Sequence, residues 1–466
     1  MWCDKIEHKS TMRKVIAIII FIISGCYGAI AQQLNVKLDS LINSRLEDVA
    51  PGCAVLVAKN GRVVYKKAFG KADLELNVPM QPDMIFRLGS ITKQYTAIAI
   101  LQLVEQGKIS LQDSIQKFIK DFPNKGHAIT IENLLSHTSG IVDYEVLNFP
   151  IPNAIRIDFP PKQIIDSLGK LPLDFIPSSK FQYSNSNYYL LAYIIEQVSR
   201  NSYQAYLTVN LFKQAALQNT YYDSPEEIIP NRVSGYAKHN SKYANAGYIS
   251  MSQVFGAGAL LSNVEDMFKW HQALYTYKLV RKETLEKAVT PFKLADGTLS
   301  NYGYGWFIKS QSGEKSIEHA GGIDGFQSDE IYLPQQDIFV AALYNSLNNG
   351  GGDMSFMPLS DDIATLAMGK SLQKEVKVAD TILKKYVGIY QPDATHSAMI
   401  TLENGQLQIE SQSGGLPKSP LYAESDNKFL LKAVKAEIEF TLDVAGNVSQ
   451  LIVHANGQDQ VCKKIK

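Results

Sequence analysis

The sequence predicts an α/β protein: an antiparallel sheet flanked by helices and carrying a mostly helical subdomain, followed by a small all-β, barrel-like C-terminal domain. Three observations predict it. Strand-like runs stand at both ends of the first 369 residues with helical patterns between them, so one sheet is completed only when the chain returns. Residues 91–106 are apolar on nearly every side, as a central buried helix requires. Beyond a charged connector at 370–380 the pattern changes to short alternating runs separated by turn dipeptides. A chain of 466 residues that is 45% hydrophobic suits one large domain plus a smaller one.

Residues 1–31 read as an export signal. Met12-Arg13-Lys14 is the charged start, Val15–Ile23 an apolar stretch too short to span a bilayer stably, and Ala29-Ile30-Ala31 a small-residue cleavage site before Gln32. The expected location is periplasmic or extracellular. Ile23-Ser24-Gly25-Cys26 offers a competing signal, similar to a lipoprotein processing site, that would leave Cys26 lipidated and the protein tethered to a membrane. Cleavage after Ala31 is the preferred reading, and it leaves Cys53 and Cys462, too few for a disulfide framework; Cys53, in an apolar strand, reads as a buried free thiol.

The large domain, 32–369, opens with an amphipathic stretch at Leu38–Val49. Gly52–Ala58 and Arg62–Ala68 follow as two strands joined at Asn60-Gly61, a strong hairpin signal. The buried helix stops at Gly107, with Ser90 as its first residue or cap. Residues 110–290 alternate helical patterns with Pro, Gly and Asn-rich turns and read as the helical subdomain. Strands return at Tyr304–Lys309, Ser316–Gly321, Glu330–Leu333 and Ile338–Tyr344, with turns at Ser312-Gly313 and Asp324-Gly325. Asn349-Gly350-Gly351-Gly352 reads as a flexible loop. In the C-terminal domain, 381–466, Met399–Leu402 and Leu407–Glu410 flank Asn404-Gly405, and Glu437–Val444 and Val448–His454 flank Gly446-Asn447.

Composition excludes several functions. Lys plus Arg equals Asp plus Glu at 46 each, and setting aside residues 1–31 removes four basic and two acidic residues to leave a net charge of −2. Nothing there recruits nucleic acid. No metal-ligand spacing such as C-x-x-C or H-E-x-x-H occurs, so no metal or other cofactor is expected. Oligomeric state is not specified by the residues.

The chemistry starts at Ser90-Ile91-Thr92-Lys93, which puts a hydroxyl and an amine one helical turn apart on one face. That pair suits a nucleophile and its base. The same spacing recurs at Ser114, Ser167, Ser312, Ser371 and Ser425, but Ser90 alone precedes a long apolar helix, whose free N–H groups favour charge developing on an attacked carbonyl. A plain helix cap is the competing account of Ser90. For Lys93 to accept a proton near neutrality its pKa must fall from about 10.4 by roughly three units, which burial beside another cation would achieve. A surface lysine with its head in water is the alternative.

Tyr183-Ser184-Asn185 supplies a phenol and an amide two residues apart, able to face one cleft in an extended geometry. Tyr243-Ala244-Asn245 repeats the spacing, and helix capping explains it as well. His319-Ala320-Gly321-Gly322 ends a predicted strand, where the glycines would admit a substrate backbone and let a free N–H face its carbonyl. His137 suggests a Ser–His pair, yet a satisfied structural histidine is the preferred reading. No G-x-S-x-G elbow exists in the chain.

With these clusters in order, residues 40–365 resemble the serine β-lactamase and penicillin-binding family, in particular its class C, D,D-peptidase and esterase branch. The family carries S-x-x-K at the head of a buried helix, then Y-x-N, then K-T-G or H-x-G on a sheet strand. Here these are Ser90 and Lys93, Tyr183 and Asn185, and His319 and Gly321. Leu134–Gly140, Tyr302–Trp306 and Gly258–Asp266 are also similar to family runs. The resemblance implies the β-lactamase/transpeptidase-like fold, with Ser90 attacking a carbonyl while Lys93 and Tyr183 share the proton work. It further implies that Asn185 holds the substrate amide, that His319 and Gly321 line the substrate site, and that the backbone N–H groups of Ser90 and Gly322 form an oxyanion hole.

The departure is in the third motif, where His319 and Ala320 replace the lysine and hydroxyl residue that help β-lactamases hold a drug's carboxylate. A neutral imidazole holds it less firmly. The expected function is therefore an exported serine hydrolase acting through a Ser90 acyl-enzyme on small peptides, amides or esters, including D-amino-acid and peptidoglycan-derived peptides, with low β-lactamase activity. A catalytically silent protein that binds cell-wall peptides is the alternative. The segment from Leu383 to Tyr390 is similar to the start of the small lipocalin-like barrel appended to some of these hydrolases.

Overall fold

The computed structural model describes residues 32–46, 50–147, 153–239, 242–348, 357–372, 376–393, 396–412, 416–434, 436–443, 446–455 and 458–465. The leader-like segment with Cys26, and the Asn349–Gly352 run, lie outside these residues.

The central sheet is built from both ends of the large domain. Strands β1 (Cys53–Lys59) and β2 (Arg62–Phe69) form a hairpin whose turn residues Asn60 and Gly61 both have positive φ, 52° and 69°, as a tight two-residue turn demands. Helices α1 (Thr92–Glu105), α2 (Asn185–Ser199) and α3 (Val264–Tyr275) follow. The chain then returns as β3 (Phe307–Gln311), β4 (Glu314–Ile323), β5 (Phe326–Leu333) and β6 (Ile338–Tyr344) before helix α4 (Met357–Ala367). The strand order is β3-β4-β5-β6-β1-β2, with β1 antiparallel to β6 from Cys53 opposite Tyr344 to Lys59 opposite Ile338. Late completion of the sheet is thus observed.

Period-two alternation assigns each face. Cys53, Val55 and Val57 of β1 pack with Leu38 and Ile42 of the helix over residues 32–45 and with Leu359 and Ile363 of α4. Ala54, Leu56 and Ala58 point the other way, into the core that contains α1, α2 and α3. Every residue of α1 from Thr92 to Leu103 is buried, and the helix ends before Gly107, whose φ is 70°. Cys53 is a buried free thiol, and desolvation pushes its pKa up to about 12.

Residues 110–290 are helical as expected but also contain short strands, Tyr221–Tyr222, Tyr236–His239, Lys242–Asn245 and Leu260–Ser262. Runs of two to four residues are too short to display a period, which is why the sequence pattern does not reveal them.

The C-terminal region forms an antiparallel nine-stranded sheet. Its edge strands, Ser419–Pro420 and Tyr422–Ala423, are separated only by the buried Leu421, so the sheet nearly closes into a barrel. A separate core fills it, with Tyr386, Tyr390, Phe429 and Phe440 in mutual ring contact. Val378, from the connector, is buried in that core, and the Val376 N–H donates to the Ala423 carbonyl at 2.9 Å.

Candidate active site

Ser90 lies in a single 3-10 turn, Gly89–Ile91, that runs into α1. Its hydroxyl does not cap the helix: the residue at the N-cap is Ile91, with no side-chain cap bond. Two glycines bring β4 against this turn. Gly89 has φ of 50°, and a Cβ there would sit 3.0 Å from the Gly322 nitrogen; a Cβ on Gly321 would sit 2.0 Å from the Leu88 oxygen and 2.9 Å from the Ser90 nitrogen. Only glycine permits so close a backbone approach. From β5, Ser328 Oγ donates to the Leu88 carbonyl at 2.6 Å and fixes the turn in place. The glycines of the His319 cluster therefore admit the protein's own Gly89–Ile91 turn, and the cluster lies within β4 rather than at its end.

Lys93 is fully buried, and its Nζ donates to Ser90 Oγ at 2.9 Å, Asn185 Oδ1 at 2.8 Å and the Ala257 carbonyl at 2.9 Å. The surface-lysine account fails here, whereas Lys117, Lys170 and Lys315 of the rival pairs are exposed. Burial pushes the Lys93 pKa down to about 7. Among the described residues no neighbouring cation is responsible. The charges acting on Lys93 are the carboxylates of Asp143 and Glu145, and both work in the opposite direction.

Tyr183 precedes α2, with Ser184 extended at φ −146° and ψ 123° so that Tyr183 and Asn185 both reach the cleft. The Tyr183 ring centroid is 4.8 Å from Lys93 Nζ. Burial raises the phenol's pKa well above its ordinary value, opposed by an interaction with Ser90, while Asp143 and Glu145 add to the rise. Tyr183 is therefore a neutral phenol. Asn185 Nδ2 donates to Glu145 Oε1 at 3.0 Å, and the Asn185 N–H donates to Asp143 Oδ2 at 2.6 Å.

His319 is buried, with Nε2 3.1 Å from the Tyr302 hydroxyl and Nδ1 2.7 Å from the Ala320 carbonyl. The carbonyl accepts only, so Nδ1 carries the proton and Nε2 accepts from Tyr302. Desolvation, aided by the Lys93 charge, pushes the pKa down to about 3. Ser90, Tyr183, Phe307, Lys309, His319 and Gly322 line one cavity of about 280 Å³.

The structure thus gathers Ser90, Lys93, Tyr183, Asn185, His319, Gly321 and Gly322 into one place. Sequence reasoning does not single out Asp143, Glu145 or Lys309. Asp143 and Glu145 lie on a short 3-10 turn with no periodic pattern, and Lys309 lies on an edge strand. The Tyr302–Trp306 run gives a usable signal for Tyr302.

Residues 38–355 match the family model described as Beta-lactamase, and residues 372–464 match a domain of unknown function, DUF3471. The chain is 29% identical over 434 residues to penicillin-binding protein 4* of Bacillus subtilis, spanning 88% of this chain and 94% of that protein. It is similar to the octameric penicillin-binding protein homologue from Pyrococcus abyssi, with a TM-score of 0.65 and 26% identity over 92% of this chain and 99% of that one. A D-stereospecific amidohydrolase from Streptomyces sp. superimposes with a TM-score of 0.59 and 25% identity, covering 72% of this chain and 97% of that one.

Proposed function

We propose, from the premise that this chain belongs to the β-lactamase family and is a serine hydrolase, that Ser90 is its nucleophile and that it hydrolyses D-amino-acid peptides and amides or small esters. The observation that carries the reading is the fully buried Lys93 amine 2.9 Å from Ser90 Oγ. An amine with a pKa near 7 is about half neutral at pH 7, so it can take the hydroxyl proton as Ser90 attacks the carbonyl.

The remaining roles follow from position. The Ser90 and Gly322 N–H groups stabilise the oxyanion, a contribution of about 2.7–4 kcal/mol per donor. Tyr183, kept neutral, passes a proton to the leaving group, and Lys93 returns it. Water then enters and cleaves the acyl-enzyme. Asn185 is held between Lys93 and Glu145 and turns its amide to the substrate when Glu145 yields. The name of the Streptomyces amidohydrolase supports the D-configured amide class. The leader-like segment before Gln32 supports export.

Low β-lactamase activity is part of this reading. His319 is neutral with both ring nitrogens engaged, and Ala320 has no hydroxyl to orient a drug's carboxylate. In a panel of p-nitrophenyl esters, D-alanyl peptides and nitrocefin, kcat/KM for an ester or a D-peptide is expected to exceed that for nitrocefin. Nitrocefin as the best substrate would refute the assignment.

A further inference from the structure

We infer that His137 is a positioning residue that holds the Tyr183 phenol in its working place, through contacts on both sides of Tyr183 and on its ring. The inference rests on the proposed role of Tyr183. His137 accepts the N–H of Gln182 at its carbonyl oxygen, 3.0 Å, and the N–H of Ser184 at its Nδ1, 3.2 Å. These are the residues immediately before and after Tyr183. The imidazole and phenol rings pack with centroids 4.3 Å apart.

The backbone makes this grip available. His137 has φ of 56° in the left-handed region, which is costly for a residue other than glycine. That conformation directs its carbonyl and its ring toward the same extended segment. The neighbouring residues of the turn pair with the same stretch, since Thr138 O accepts from Ser178 N at 2.8 Å and Gly140 O from Asp174 N at 2.8 Å.

A second network fixes the tautomer. Ser139 Oγ donates to Asn187 Oδ1 at 2.6 Å, which turns the Asn187 amide so that Nδ2 donates to His137 Nδ1 at 3.1 Å. Nδ1 therefore presents a lone pair to two donors, and the ring proton sits on Nε2. Nε2 has no hydrogen-bond partner among the described residues, and the ring is enclosed by Tyr183, Tyr188 and Tyr302. Protonation would set a third donor against the first two and a charge near Lys93, and burial holds the imidazole pKa well below its ordinary value. His137 is a neutral clamp.

Clamping differs measurably from general structural support. The acylation rate by a D-amino-acid p-nitroanilide, whose amine leaving group needs the proton that Tyr183 supplies, is measured in single turnover for wild type, His137→Ala, Tyr183→Phe and the double variant, with the melting temperature of each. In the wild-type background His137→Ala is expected to slow acylation roughly 10- to 100-fold, the scale of a misplaced catalytic group, with KM little changed. In the Tyr183→Phe background the same substitution is expected to cost less than about threefold, because the group it positions is gone. His137→Asn tolerates the left-handed backbone and can accept the Ser184 N–H, so partial rescue is expected; it replaces His137→Ala in the cycle if the alanine variant does not fold. Equal losses in both backgrounds would overturn the inference and leave Tyr183 its role. No loss on Tyr183→Phe alone would overturn both.

Discussion

Lys93 is the residue whose chemistry depends most on its surroundings. Burial lowers its pKa to about 7, while Asp143 and Glu145 pull it upward. With the neutral amine as the proposed base, acylation of an uncharged ester should rise with pH through about 7 and level off above it. Glu145→Gln removes one of the opposing charges and retains an oxygen that can accept from Asn185, so the midpoint should move to lower pH. A midpoint that stays in place or moves upward would show that Glu145 does not act on Lys93 through its charge. These carboxylates were not legible in the sequence. Ser90 and Lys93 were, since a hydroxyl and an amine one turn apart ahead of an apolar helix carry their own signal. Asp143 and Glu145 matter only through a turn that brings them back to Asn185.

Among the elements, β4 and the Gly89–Ile91 turn form the joint that the site depends on. A Cβ on Gly321 would meet the Leu88 oxygen at 2.0 Å and the Ser90 nitrogen at 2.9 Å. Gly321→Ala should push the strand from the turn and weaken the proposed oxyanion hole, lowering kcat about 100- to 1,000-fold with a smaller change in KM. Unchanged kcat would mean that the two backbones do not need this approach. The sheet strands themselves were legible as strand-forming runs bounded by turn residues, and Ile338–Tyr344 has the limits read from sequence. Limits moved where a turn intervened. Phe326–Leu333 begins four residues before the predicted strand Glu330–Leu333, because Gln327, Ser328 and Asp329 are buried polar residues within the strand. A hydrophobicity pattern cannot report a buried serine that serves to hold Leu88.

At the scale of the whole molecule, the residues gathered at the site come from widely separated stretches, from Ser90 to Gly322, and they meet because the sheet closes late. The C-terminal sheet has its own core, and the proposed catalytic residues all lie outside it. That separate core falls in the part of the chain where composition and turn spacing change together, beyond residue 370. The assignment rests on Ser90 forming a covalent acyl-enzyme. Its most direct test is intact-mass analysis and peptide mapping after treatment with a fluorescent phosphonate or penicillin probe. The account predicts one label per chain, on the peptide containing Ser90, and none on the Ser90→Ala variant. A label on another residue, or equal labelling of Ser90→Ala, would contradict it.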